Sequence, residues 1–104
     1  MKVTRLQVSL EAGADILEQA EWYESQAGEQ LGAKWESAVA STLMRLQMYP
    51  QSGSLCRFSN SEVSEIRRIR IPGFPRHFVF YQVTSEELLI VRVLHGARDL
   101  ESLL

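Results

Sequence analysis

Ile66-Arg67-Arg68-Ile69-Arg70-Ile71-Pro72-Gly73 decides the fold. Ile69 and Ile71 share one side of an extended chain with Arg67, and Arg68 and Arg70 share the other, the period of a strand. Pro72-Gly73 then gives a type II turn signal, with proline presetting φ and glycine supplying a positive φ. Two further strand signals follow at once, His77–Thr84 and Glu87–Leu94, joined by the short link Thr84-Ser85-Glu86. Leu88–Leu94 is apolar on nearly both faces, which predicts a central strand. Three strands so closely spaced predict an antiparallel meander.

Upstream, the period changes. Val3–Ser9 alternates as a half-buried strand, with Leu6 and Val8 on one face and Arg5 and Gln7 on the other. Ser9 is placed to cap a helix, and Glu11 and Asp15 suit the positive end of its dipole. Ile16, Ala20, Tyr23 and Ala27 recur at helical spacing, with Leu17 and Leu31 extending the stripe and Gly28 and Gly32 interrupting it. Trp35, Ala38, Val39, Thr42, Leu43 and Leu46 form a second stripe ending near Tyr49-Pro50, because proline disfavours helical geometry in the preceding residue. So short a connection makes the two helices an antiparallel hairpin. Residues 50–64 are a long serine-rich loop. The expected architecture is α+β in the order βααβββ: an antiparallel sheet packed against an N-terminal helical hairpin, with the first strand joining the sheet beside the last ones.

At 104 residues the chain is one domain, residues 1–104, large enough for a core without staples. Its apolar runs, such as Leu88–Val91, fall far short of the ~20 residues of a membrane helix. The N-terminal residues lack a secretory apolar stretch. Cys56 is the single cysteine, which excludes an internal disulfide and fits a reducing cytoplasm. No cofactor motif or metal-ligand spacing is present. The net charge is −2, unevenly spread. Residues 11–29 hold six acids and no basic residue, whereas every basic residue after Glu65 is arginine. Arginine's planar donor fork suits carboxylate or phosphate, so one face is placed to meet an anionic partner, or is simply solvated.

Candidate chemistry is sparse. His77 and His95 lie on separate strands or strand ends, without a carboxylate cluster that would favour a metal. His95 and Asp99 are four apart, either as an acid–base pair or as a strand end followed by a capping acid. Arg68, Arg70, Arg76 and Arg98, with Tyr81 or His77 nearby, would line a face able to hold RNA phosphates; the bland alternative is a solvated strand face. Trp35 belongs to the core stripe. Trp22 lies off its stripe, as either an interface anchor or a half-buried packing residue.

Arg92-Val93-Leu94-His95-Gly96-Ala97-Arg98-Asp99 resembles the strand-ending V-L-H-G-x-R-D signature of the RelE/ParE toxin superfamily, which includes plasmid stabilisation proteins. The segment from Ala14 to Glu24, Leu46…Tyr49-Pro50…Gly53, Ile66–Ile71 and Phe78–Tyr81 resemble further motifs of the superfamily in the same order. The resemblance implies a bacterial type II toxin neutralised by a cognate ParD-like antitoxin, in a toxin–antitoxin hetero-oligomer. RelE-like members cut messenger RNA on the ribosome with cationic residues and commonly a C-terminal tyrosine; ParE-like members poison DNA gyrase without an established catalytic set. The tail Leu100–Leu104 has no tyrosine or lysine, and the acidic balance disfavours ribosomal RNA. The ParE-type reading, inhibition of gyrase, is therefore preferred. The alternatives are a ribonuclease using Arg70, Arg98, Tyr81 and His95, or an inert relative that binds antitoxin alone.

On the preferred reading the toxic surface comprises Arg67, Arg70, Arg76, Arg92, His95, Arg98 and Asp99. Antitoxin meets Trp22, Tyr23, Leu31, Glu18 and Glu21 in a groove between the hairpin and the sheet edge. No cofactor, metal, membrane or independent DNA binding is expected.

Overall fold

The computed structural model describes residues 5–56 and 65–96. The elements are β1 (Arg5–Val8), α1 (Leu10–Ala27), α2 (Glu29–Met48), β2 (Ser54–Leu55), β3 (Arg67–Ile71), β4 (Phe74–Val83) and β5 (Glu87–His95). The expected strand start at Val3 and Thr4 lies outside the described residues.

The helices form as their sequence dictates. The Ser9 side chain accepts from the Ala12 amide at 3.0 Å, satisfying one of the orphan donors at the start of α1. Gly28 ends α1 at φ +93°, a left-handed conformation that favours glycine, and its amide donates to Glu24 O at 2.9 Å. Gly32, expected as an interruption, lies inside α2 and is buried. A side chain there would meet the Glu24 side chain and the Ala20 carbonyl, so this glycine is what lets α2 close onto α1. Of the predicted stripe, Trp35, Val39, Thr42, Leu43 and Leu46 are buried and Ala38 is half-buried against the core. Trp35 is fully buried and donates its indole N–H to the Ile16 carbonyl at 3.0 Å, tying the hairpin together.

The strands form a five-stranded sheet in the order β1-β5-β4-β3-β2. The meander β3-β4-β5 is antiparallel, as expected, with Gly73 at φ +87° in the β3–β4 turn. Thr84 organises the β4–β5 link, its hydroxyl accepting from the Glu87 amide at 2.9 Å. Two features differ from expectation. β1 pairs with β5 in parallel, so the sheet is mixed rather than purely antiparallel. The short β2, from the serine-rich loop, adds a further edge. Alternation of apolar and polar residues reports which face a strand buries, not which way it runs, and a two-residue strand carries almost no periodicity.

The core lies between the hairpin and one face of the sheet. It joins Ala12, Ala20, Trp35, Val39, Leu43 and Leu46 to Ile71, Phe74, Val79, Tyr81, Leu88, Ile90 and Val93. Each large apolar side chain buried here contributes roughly 1.5–3 kcal/mol. A smaller cluster joins Ile66, Phe80 and Leu94 with Phe78 and Cys56 packed against it; its β4 members, Phe78 and Phe80, alternate with Val79 and Tyr81 of the main core. Gly53 joins loop to core: its amide donates to the Tyr81 hydroxyl at 2.8 Å, and its carbonyl accepts from Arg67 at 2.8 Å.

A methyl group on Gly53 would clash with Tyr81 Oη and stand 2.7 Å from the Arg68 carbonyl oxygen, whereas one on Gly13, within α1, meets nothing within 4 Å. Gly53→Ala is expected to cost about 2 kcal/mol by overpacking, and Gly13→Ala to gain about 0.5–1 kcal/mol by helix propensity. Urea denaturation of the two variants checks both signs.

Candidate functional site

β1 covers β5 only from Glu87 to Ile90, leaving the end of β5 exposed to whatever lies beside it. α1 takes that place. The Ser9 amide donates to the Ile90 carbonyl at 3.0 Å, and its hydroxyl donates to the Val91 carbonyl at 2.8 Å. Asp15, at the second turn of the helix, accepts from the Val93 amide at 3.0 Å and from Arg92 Nε and Nη2, both at 2.8 Å. The carboxylate thus completes the strand's hydrogen bonding and holds a bidentate ion pair. The side chains of Arg92 and Asp15 are 18% and 11% exposed. Arg92 is raised above its usual pKa, chiefly by the hydrogen bonds it donates to Asp15. Arg92, expected on the toxic surface, is therefore committed to holding α1 on β5.

This clasp defines one side of a groove of about 630 Å³, lined by Asp15, Glu18, Gln19, Trp22 and Tyr23 from α1 and by His77, Val93, Leu94 and His95 from the strands. Of the residues expected to meet antitoxin, Glu18, Trp22 and Tyr23 line it. Leu31 instead packs against the core, and Glu21 is exposed on α1 away from the lining. Trp22 is 55% exposed. It stands edge-on to Tyr23 with ring centroids 5.4 Å apart, so its open face is supported from below.

The floor is aromatic. His77 and His95 are directly paired across β4 and β5, with ring centroids 5.4 Å apart. His77 is buried and sits 4.8 Å from the Trp35 ring. Burial, and secondarily the charge of a protonated His95, lower its pKa below the ordinary 6.5. Among the described residues no group of three or more His, Cys, Asp or Glu is placed to hold a metal ion. No helix of the described chain is long and apolar enough to cross a membrane.

The arginines divide differently from expectation. Arg68 and Arg70 are exposed and both lie over the Phe78 ring, at 4.9 and 5.3 Å from its centroid. Tyr81 and His77 are not beside them: both belong to the helix-facing side, where Tyr81 is fully buried and bonded to Gly53. Burial pushes the Tyr81 phenol above its ordinary pKa, partly offset by that bond. Arg67 is also turned to this side, by its bond to the Gly53 carbonyl. Arg76 is exposed at the start of β4. Arg98, Asp99 and the tail Leu100–Leu104 lie outside the described residues. Sequence reasoning assigned no structural role to Asp15 as a partner for Arg92, yet a signal existed: a lone arginine inside an apolar central strand requires a carboxylate.

Because the folded chain disfavours a charged His77, the unfolded chain takes up that proton first as the pH falls. The contribution of neutral His77 to stability is full above 6.5 and is lost as the pH drops below it. Thermal unfolding between pH 8 and 5 should show Tm falling on the acid side, with a shallower fall in His77→Phe, which keeps an aromatic ring among Trp35 and Phe74. Equal slopes in the two proteins would refute this role.

The family model for the ParE toxin of the type II toxin–antitoxin system, parDE, matches residues 6–100. Among solved structures, a chain of the chromosomal ParDE TA system from P. aeruginosa superposes with a TM-score of 0.72. The match covers 89% of this chain and 96% of that one at 19% identity, a likeness of fold. No curated protein matches the chain. Spanning nearly its whole length, the family match carries the assignment: the chain belongs to the ParE toxin family of type II toxin–antitoxin systems.

Proposed function

We propose that this chain is a toxin that inhibits DNA gyrase through protein contact and is neutralised by a ParD-like antitoxin seated in the groove between α1 and β5. The observation that carries the mode of action is the separation of Tyr81 and His77 from Arg68 and Arg70 by the thickness of the sheet. Metal-independent RNA cleavage needs a cation on the phosphate and an acid–base group within hydrogen-bond reach of the same bond. Neither Tyr81 nor His77 stands beside the exposed arginine pair, and burial pushes the half-buried Cys56 thiol near Arg68 above its ordinary pKa, away from acid–base work at neutral pH. The net charge of −2 also disfavours a ribosomal partner. Exposed arginines set apart from the histidine and the tyrosine suit binding rather than turnover.

The antitoxin half of the proposal rests on the groove. An open tryptophan, Trp22, lines the groove together with Glu18, a combination that fits a segment pairing an apolar side chain with a lysine or arginine. The acidic face of α1 would speed and orient the encounter more than it would tighten the final complex. The ParDE architecture of the P. aeruginosa neighbour supports a partner of this kind.

Purified toxin freed from antitoxin should abolish supercoiling by gyrase, with trapped cleavage complexes, and leave messenger RNA intact on programmed ribosomes. Added antitoxin should restore supercoiling. Cleaved message with unaffected gyrase would overturn the proposal and make Arg70 and Arg98 the catalytic candidates.

A further inference from the structure

Among the described residues, the far edge of the sheet, opposite the groove, has a gap. β2 pairs with β3 at only two positions, Leu55 with Arg67 and Ser54 with Arg68. The Cys56 amide extends the ladder in the other direction, donating to the Ile66 carbonyl. In an antiparallel ladder, residues two apart point their N–H and C=O groups to the same side. Ile66 and Arg68 face β2, so Arg70 presents its backbone groups to that side as well. There β2 has already ended. Gly53 turns beneath the sheet towards Tyr81, and a notch of about 250 Å³ opens, lined by Ser52, Gly53, Ser54, Arg68, Ile69, Arg70 and Phe78.

We infer that this notch docks an extended acidic segment of a partner protein, which continues the sheet beside Ile69–Ile71 and sets carboxylates against Arg68 and Arg70. The inference rests on the reading of this toxin as one that acts by protein contact, and names the chemistry of that contact. The two arginines are two residues apart on one strand face, a spacing of roughly 6.6–7 Å. An added strand presents its alternate side chains at that same interval. Both guanidinium groups lie over Phe78, and Phe78 is itself backed by Gly96, whose missing side chain leaves room for the ring. Stacking in this way holds the donor forks in place before a carboxylate arrives, so less side-chain freedom is lost on binding. Among the described residues neither arginine has a carboxylate within ion-pair distance. An RNA strand fits less well. The ring on which a base would stack is already covered by the two guanidinium groups, and the chain lacks the broad positive field that draws a polyanion.

The test uses three fluorescein-labelled probes at low salt: a six-residue peptide alternating glutamate and valine, its lysine counterpart, and an eight-nucleotide uridine RNA. Fluorescence anisotropy should show the glutamate peptide binding at least tenfold more tightly than either other probe. Arg68→Gln with Arg70→Gln should weaken it at least tenfold. Arg5→Gln with Arg45→Gln, which removes the same charge elsewhere, should change it less than twofold. Amide shifts in NMR should concentrate at Ile69–Ile71. Equal binding of the lysine peptide, indifference to the Arg68/Arg70 variant, or preference for RNA would each overturn the inference. Gyrase inhibition is scored separately. A wild-type toxin inactive on gyrase but selective for the glutamate peptide refutes the target and leaves the notch standing; the converse refutes the notch alone.

Discussion

Asp15 holds this molecule in its functional shape. One carboxylate completes the hydrogen bonding of β5 where β1 stops, pairs with the only arginine of β5, and ties α1 to the Val93 backbone. Everything on that side follows from it. The clasp closes one side of the groove, Trp22 projects from the helix it holds, and Tyr23, His77 and Trp35 pack together beneath. A carboxylate with three donors and a guanidinium with two good acceptors satisfy one another, which is what makes a mostly buried pair tolerable.

The charge distribution visible in the sequence becomes a polarity of the folded chain. Acidic residues of α1 rim the groove at one edge of the sheet, whereas the exposed arginine pair frames the notch near the other. Surfaces of opposite sign at opposite edges suit two partners of opposite charge, a basic segment at the groove and an acidic one at the notch. Arg92 shows why counting charges is not enough. It belongs to the arginine-rich half of the sequence, yet the fold spends it on an internal pair.

Much of this was legible beforehand, for physical reasons. The stripe from Trp35 to Leu46, the Ser9 cap and the Pro72-Gly73 turn are local signals whose outcome is set within a few residues, and each appears where the sequence places it. The parallel direction of β1 and the two-residue β2 are decided by partners farther along the chain, and the close approach at Gly32 by how the two helices pack. The site divides in the same way. Exposure of Trp22 follows from its place off the apolar stripe. The diversion of Tyr81 into a bond with Gly53, and of Leu31 into the core, depends on contacts that no spacing rule contains.

The clasp is tested most directly by a double-mutant cycle on Asp15→Ala and Arg92→Ala, read by chemical denaturation. Each single change should cost about 3 kcal/mol, because it strands a mostly buried charge, and the double variant should cost far less than the two together. Losses that simply add, to within about 0.5 kcal/mol, would mean the two residues act independently. The groove would then owe its form to something other than this pair.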